Sequence, residues 1–160
     1  MPKLTAHRSR PNTVDMVPVE IPDEAVISLA SHPSLVFDMA GASKEAGAGV
    51  ILWNLHRQAN QRWRIRPTTN SPGCETFHLV NVHSGLCLAL YDDDRTAPIT
   101  QTPVEDGNHQ QWWMLDMVEG GFAIRHARLL TNIAPEEVTA GKPLRGVHGR
   151  EKAAWAFTAA

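Results

Sequence analysis

The sequence has few cysteines, no long apolar run and no excess of charge of either sign. Its 160 residues include two cysteines, too few for a disulfide framework. No segment approaches the length of a membrane-spanning helix, so we expect no membrane insertion. Lysine and arginine total 15 and aspartate and glutamate total 17, a balance that argues against nucleic acid as a partner. Because a secretory signal and Asn-x-Ser/Thr acceptors are also missing, we expect a cytoplasmic protein.

Motifs of catalysis and metal binding are missing as well. Among eight histidines, His78 and His83 form the closest pair of interest, and no His/Cys cluster has the spacing of metal ligands. The sequence contains no nucleophile elbow, phosphate loop or dinucleotide fingerprint. Cys87 lies in the apolar run "GLCLAL", which indicates a core residue rather than a reactive thiol. We therefore expect a binding protein that is not an enzyme and holds no metal or cofactor.

The sequence does contain many short runs rich in Val, Ile, Leu and aromatic residues. Twelve such runs follow residue 24, each bounded by Gly, Pro, Asn, Asp or Ser, and helical periodicity of useful length is missing. This pattern predicts one all-β domain over residues 25–160. Residues 1–24 carry four prolines and little periodicity, which predicts an extended arm outside the core. Such an arm could also cover a sheet edge or a partner subunit.

Three tryptophans divide the twelve runs into three sets of four. Trp63, Trp112 and Trp155 each end a set, and about forty to fifty residues separate one from the next. A four-strand unit of this size cannot bury its own apolar face, so the three units must close around a common core. We predict three four-stranded repeats, at about 25–67, 74–117 and 120–160, with pseudo-threefold symmetry. The three indoles are predicted to be buried in that core.

The segments around these tryptophans resemble a known family. "LVFDMAG" followed by "ILWNLHRQANQRW", and "SGLCLAL" followed by "NHQQWWML", resemble the ricin B-chain type of β-trefoil lectin, including small cytoplasmic fungal members. The signature of that family is Gln-x-Trp near the end of each repeat. We interpret it as Gln61-Arg62-Trp63, then Gln110-Gln111-Trp112, then an eroded Ala153-Ala154-Trp155. The resemblance covers residues 24–160 and implies an all-β, β-trefoil fold that binds terminal galactose or N-acetylgalactosamine.

The resemblance also implies a sugar pocket in the first repeat. Pockets of the family combine an aspartate after the second strand, an aromatic ring on the third, and an asparagine before the signature glutamine. Asp38, Trp53 and Asn60 occupy these positions, with His56 at the wall and Gln61 completing the predicted site. The Gln61 amide is also expected to hydrogen-bond nearby backbone and to fix the loop that precedes the strand. The indole would hold the apolar face of a sugar, and an ionised carboxylate would accept hydrogen bonds from adjacent hydroxyls. The amide can both donate and accept.

The other two repeats are predicted to lack a competent pocket. The aligned side chains are unsuitable, namely Ala89, Gln101 or Thr102, and His109 in the second repeat, and Asn132, Arg145 and Ala153 in the third. The acidic residues 92–94 are interpreted as a solvated turn. One shallow pocket predicts weak, millimolar binding of a monosaccharide, so useful avidity would need several copies. We therefore expect a homodimer, with the arm or the third repeat at the interface.

A second interpretation keeps the fold and changes the partner. A β-trefoil that has lost sugar recognition could use a loop to bind a protein, for example as a protease inhibitor. Fold analogy alone does not decide between the two functions. The first-repeat set of Asp38, Trp53 and Asn60 favours the lectin, because an inhibitor has no need of it.

Overall fold

The computed structural model describes residues 3–69, 73–91, 97–148 and 152–160. These residues form β-strands joined by turns and short 3-10 segments, and they contain no α-helix. None of their helical segments is long and apolar enough to cross a membrane. The predicted all-β class is confirmed. The strands are β1 Lys3–Arg10, β2 Thr13–Glu20, β3 Glu24–Leu29, β4 His32–Met39, β5 Val50–Asn54, β6 Trp63–Pro67, β7 Phe77–Asn81, β8 Cys87–Ala89, β9 Thr100–Thr102, β10 Trp113–Val118, β11 Gly121–His126, β12 Asn132–Pro135, β13 Leu144–Val147 and β14 Trp155–Ala159.

Six strands close into a barrel, and three hairpin pairs close over it. The barrel runs β3, β6, β7, β10, β11, β14 and back to β3, with every neighbouring pair antiparallel. The pairs β4–β5, β8–β9 and β12–β13 contact one another through single bridges, such as Gly49 with Thr100 and Ile51 with Pro143. Each repeat supplies two barrel strands and one hairpin pair, so the prediction of three four-stranded repeats is confirmed.

One tryptophan of each repeat is fully buried and joins the hairpin pair to the barrel. Its indole Nε1–H donates to a backbone carbonyl of the second strand of the same repeat. The donor and acceptor residues are Trp63 with Phe37 at 3.2 Å, Trp113 with Leu88 at 3.1 Å, and Trp155 with Ile133 at 3.0 Å. Removing an indole from water contributes about 5 kcal/mol at ~25 cal/mol per Å² over roughly 200 Å². Because the bond recurs, it defines equivalent positions in the three repeats.

The core tryptophan of the second repeat is Trp113, and the prediction of Trp112 is wrong. Trp113 has 0% of its surface exposed, whereas Trp112 is only partly buried. The fully buried glutamine is likewise Gln111 rather than Gln110. The signature is therefore Gln111-Trp112-Trp113. Successive side chains of an extended segment point to opposite faces, so an error of one residue exchanges the core side chain for a surface one.

Residues 3–21 form a hairpin on the barrel, so the prediction of an arm outside the core is wrong. β1 and β2 pair in antiparallel, and β1 also pairs in parallel with β10, where Ala6 lies opposite Leu115. Leu4, Ala6 and Ile21 are buried in the core. The prolines misled the prediction, because Pro18 lies on β2, which is an edge strand. A proline on an edge strand removes no hydrogen bond that the sheet needs.

Candidate functional site

A surface pocket of about 370 Å³ lies where the first-repeat site was predicted. Asp38 on β4, Trp53 on β5, His56 in the following loop and Asn60 in a 3-10 turn line it together. We call it the first-repeat pocket, and its remaining lining residues are Gly41, Ala42, Ile51 and Gln58. Four of the five predicted side chains thus meet at one surface, while Gln61 does not line it.

The register of β4 against β5 places the acid and the indole on the same face of a hairpin. Val36 pairs with Trp53 and Asp38 pairs with Ile51, so Asp38 and Trp53 are diagonal neighbours. Diagonal side chains of adjacent strands lie about 7–8 Å apart at the backbone, close enough to contact a common ligand. The opposite face of the hairpin carries Phe37 and other buried core residues. The alternation of one strand pair therefore supplies both a core face and a binding face.

Asp38 is held in a fixed and partly dehydrated position. Its side chain is 5% exposed, its Oδ2 accepts a 2.8 Å hydrogen bond from Gln61 Nε2, and His56 Nε2 lies 3.5 Å from the same oxygen. Burial raises the pKa of the Asp38 carboxyl, and the Gln61 hydrogen bond and the His56 ring offset part of that rise. Asn60 is also fixed, because its Nδ2 donates to the carbonyl of Met39 at 3.2 Å.

Gln61 is a positioning residue beneath the pocket rather than a contact residue. It is completely buried, and its Nε2 donates both to Asp38 and, at 2.8 Å, to the carbonyl of Asn54. Its Oε1 accepts the backbone N–H groups of His56 at 2.8 Å and Arg57 at 3.2 Å. Arg57 has a φ of 64°, a strained conformation that these bonds help to hold. Gln61 therefore fixes the carboxylate and the loop that carries His56.

A glycine from the third repeat lies beside the indole of Trp53. The ring is 41% exposed, and a Cβ added at Gly141 would lie 3.5 Å from its Cζ3. The loop of Gly141 is bonded to β5, since the Gly141 N–H donates to Leu52 at 2.6 Å and the Leu52 N–H donates to Lys142 at 2.9 Å. Gly141 was not predictable from the sequence, because a turn glycine gives no sign of which distant side chain lies beside it.

The buried indole bonds identify the equivalents of the site in the other repeats. Counting from those bonds and the strand registers, the equivalents of Asp38, Trp53 and Asn60 are Ala89, Thr102 and Gln110 in the second repeat and Ala134, Val147 and Lys152 in the third. Ala89 and Thr102 agree with the prediction. The assignments of His109, Asn132 and Arg145 are wrong, because the tryptophan pair and the third-repeat strands were aligned out of register. The acidic residues 92–94 lie outside the described residues.

The second repeat keeps the positioning glutamine without the binding residues. Gln111 Nε2 donates to Thr102 Oγ1 at 2.9 Å and to the Pro103 carbonyl at 2.7 Å, and its Oε1 accepts the Glu105 N–H at 2.9 Å. Gln111 therefore bonds to its loop as Gln61 does, although an alanine stands where the carboxylate would be. The second repeat therefore keeps the glutamine that holds the loop without the carboxylate that would bind a ligand.

Groups suited to other chemistries are sparse among the described residues. No three His, Cys, Asp or Glu side chains of the described ranges are arranged to hold a metal ion. Cys74 and Cys87 are both free and buried. Burial raises the pKa of the Cys87 thiol to about 11, so little thiolate forms near neutral pH. This agrees with the interpretation of Cys87 as a core residue.

A threefold barrel, closed by hairpins and carrying a polar pocket beside an exposed indole, defines a β-trefoil binding domain. A family model described as "Ricin-type beta-trefoil lectin domain-like" matches residues 23–94 and 70–133. The chain belongs to this family, which confirms the resemblance and supports carbohydrate binding as the general function. No curated protein sequence matches the chain significantly.

Solved structures share the fold at low sequence identity. The Rhizoctonia solani agglutinin superposes with a TM-score of 0.74 at 16% identity, over 90% of this chain and 100% of that one. The C-half of the earthworm R-type lectin, solved in complex with GalNAc, has a TM-score of 0.64 at 16% identity, over 87% and 100%. The designed threefold protein ThreeFoil has a TM-score of 0.72 at 19% identity, over 86% and 99%. These similarities confirm the β-trefoil fold and carry no specificity.

Proposed function

We propose that this protein is a lectin that binds terminal galactose or N-acetylgalactosamine through the first-repeat pocket and catalyses no reaction. The observation that carries the proposal is the placement of Asp38 and Trp53 on one hairpin face, lining one open pocket. A sugar presents a face of C–H groups and a rim of hydroxyls. A half-exposed indole beside a fixed carboxylate matches both parts of such a ligand.

Each lining residue is expected to contact a different part of the sugar. The apolar face of the sugar lies on Trp53, whose ring lies next to Gly141. Two adjacent hydroxyls donate to the Asp38 carboxylate, which the Gln61 amide holds in place. Asn60 and His56 contact the remaining rim hydroxyls. A carboxylate that accepts from two neighbouring hydroxyls discriminates between epimers, because inverting one hydroxyl leaves a buried acceptor unpaired.

A single open pocket binds weakly, and the proposal includes a homodimer that adds avidity. A millimolar dissociation constant corresponds to about −4 kcal/mol, and linking two sites multiplies the effective affinity for clustered glycans. The hairpin of β1 and β2 offers the interface, since Val14 is 60% and Met16 42% exposed on its edge strand. The cytoplasmic location belongs to the same proposal, and two free cysteines suit a reducing compartment.

A glycan array with three proteins tests the proposal. The wild type should bind terminal galactosides or N-acetylgalactosaminides, and Asp38→Ala should lose them while remaining folded by circular dichroism. Asp106→Ala is the matched control, because it removes an exposed carboxylate outside the pocket and should bind as the wild type does.

Two outcomes would contradict the proposal. Unchanged binding by Asp38→Ala would exclude the first-repeat pocket as the site. A wild type that binds no glycan, yet forms a tight complex with a protease in the same preparation, would establish the protein-binding alternative.

A further inference from the structure

Trp112 has no evident role in the fold. The barrel of the second repeat is filled by Trp113, and Trp112 stays partly exposed beside it. The equivalent positions, two residues after the equivalents of Asn60, hold Arg62 in the first repeat and Ala154 in the third. A scaffold that tolerates arginine and alanine at this position does not require an indole. The presence of Trp112 therefore calls for another explanation.

Trp112 lines a second pocket of about 390 Å³, as large as the first-repeat pocket. We call it the Trp112 pocket, and its lining side chains include Glu75, Thr76, His109, Trp112, Met114 and Arg128. It shares no lining residue with the first-repeat pocket. It also contains none of the second-repeat equivalents of the predicted sugar site, so it is a separate surface of the molecule.

The indole of Trp112 is oriented differently from the three core indoles. Its ring stacks on the His109 imidazole, with centroids 4.2 Å apart and planes inclined by 36°. Its Nε1–H is buried without a hydrogen-bond partner among the described residues, whereas each core indole donates to a carbonyl. The packing of Trp112 therefore differs from that of the three core indoles.

The two charged side chains of the pocket differ in whether they already have a partner. The Arg128 side chain is exposed and has no ion pair or hydrogen bond from its guanidinium among the described residues. The Glu75 carboxylate lies 3.6 Å from His7 Nε2 and so already faces a possible donor. The pocket therefore offers one unengaged cation beside an aromatic wall. Guanidinium groups bind carboxylates in a bidentate manner.

We infer that the Trp112 pocket binds an acidic saccharide residue, one that carries a carboxylate on the ring. Its inventory of indole, imidazole, carboxylate and a short polar side chain parallels that of the first-repeat pocket, with Thr76 in place of Asn60. The addition is Arg128, which receives the sugar carboxylate while the C–H face of the ring lies along the Trp112 and Met114 side. Thr76 and Glu75 contact ring hydroxyls. This inference is independent of the proposed galactoside site.

The test compares two ligands that differ only in the charged group. Methyl β-D-glucuronide and methyl β-D-glucoside are titrated separately into the full chain, and amide shifts are followed by ¹H–¹⁵N NMR. Neither ligand is the galactoside proposed for the first-repeat pocket. The glucuronide should shift residues around the Trp112 pocket, and the glucoside should bind at least about tenfold more weakly, because it cannot make the charge-assisted bond to Arg128.

Three variants locate the site. Arg128→Gln and Trp112→Ala should each weaken glucuronide binding by at least about tenfold, as expected for one charge-assisted hydrogen bond or one stacking ring. Asp38→Ala should bind the glucuronide as the wild type does. Because Arg128 is exposed, Arg128→Gln stays folded even if Trp112→Ala does not.

Each contrary result overturns the inference. A wild type that shows no glucuronide-dependent shifts excludes the ligand class. Unchanged binding by Arg128→Gln excludes the carboxylate contact. Loss of glucuronide binding in Asp38→Ala, with binding intact in Arg128→Gln and Trp112→Ala, assigns the ligand to the first-repeat pocket. The expected result is instead that Asp38→Ala loses galactosides and keeps the glucuronide, which separates the two sites.

Discussion

Replacing the buried amide of Gln61 by a thioether of similar size tests how the pocket is held. Gln61→Met removes four hydrogen bonds, to Asp38, Asn54, His56 and Arg57, and leaves the volume nearly unchanged. At about 1 kcal/mol net for each bond, the variant loses about 4 kcal/mol. That loss lowers the midpoint of thermal unfolding by about 8–16 °C at roughly 2–4 °C per kcal/mol. A total stability of about 5–15 kcal/mol is reduced to about 1–11 kcal/mol, so the variant stays folded at 25 °C.

The same substitution in the second repeat provides a matched control. Gln111→Met removes three hydrogen bonds and should cost about 3 kcal/mol, with a similar fall in the midpoint. It leaves the donor to Asp38 in place. We therefore expect Gln61→Met to lose N-acetylgalactosamine binding at least about tenfold, and Gln111→Met to bind within about twofold of the wild type. Calorimetry gives the midpoints, and ligand-observed NMR at 25 °C gives the affinities.

Either of two results would refute this reasoning. If folded Gln61→Met binds as tightly as the wild type, the amide does not position the carboxylate for the sugar. If both variants lose the sugar to the same extent while folded, the loss follows overall stability and carries no information about the first-repeat pocket.

Three further changes have definite expected outcomes. Asp38→Asn should abolish galactoside binding. The pKa of Asp38 is raised in the folded protein, so its protonated form stabilises the fold below the ordinary pKa of 3.8, and this contribution disappears as pH rises through the raised pKa. The free energy of unfolding in urea should therefore vary less between pH 3 and pH 7 in the variant than in the wild type. Gly141→Val and its control Gly120→Val introduce similar backbone strain, about 1–3 kcal/mol, because their φ angles are 93° and 86°. Only Gly141→Val should displace Trp53, and it should therefore weaken galactoside binding and increase the quenching of tryptophan fluorescence by acrylamide. Gly121→Ala should cost about 1–3 kcal/mol in urea unfolding, because its Cβ would lie 2.6 Å from a carbonyl oxygen of the adjacent strand; an unchanged midpoint would contradict the close approach.

The threefold fold was predictable because its strands are short and their ends are marked by turn residues. Residues such as Gly85 and Gly107, with φ of 74° and 83°, stand in turns that break the chain into strand-length pieces. The spacing of Trp63 and Trp155 then indicates the period. The spacing does not identify the core tryptophan of the second repeat, because the adjacent residues Trp112 and Trp113 both satisfy it. Only the packing shows which indole reaches the carbonyl of the second strand.

The N-terminal hairpin was not predictable from its composition. The side chains of β2 alternate between exposed and half-buried and none of them is fully buried, and only a few side chains of the hairpin enter the core. Leu4 and Ala6 become core residues through pairing with β10, which lies more than a hundred residues later in the chain. Prolines that argue against a central strand do not argue against an edge strand.

The first-repeat site was predictable to the extent that it is local in sequence. Asp38, Trp53 and Asn60 lie within one repeat, so a family pattern can locate all three. Gln61 is expected both to complete the site and to fix the preceding loop, and it is the second role that its burial and its bonds to that loop support. A neighbour that comes from another repeat, as Gly141 does, depends on tertiary contacts that no local pattern encodes.

The second repeat keeps the residues that hold its loop and hairpin but lacks the residues that would bind a sugar, so a second binding site could be engineered there. Gln111 and Trp113 already fix its loop and hairpin, so only the ligand-facing groups need to be supplied. Thr102→Trp would add the missing platform and remove the Oγ1 that accepts from Gln111 Nε2, and Ala89→Asp would supply a carboxylate acceptor in its place. Together with the proposed first-repeat site, these two substitutions would give a bivalent reagent, and both positions lie on the β8–β9 hairpin rather than on a barrel strand.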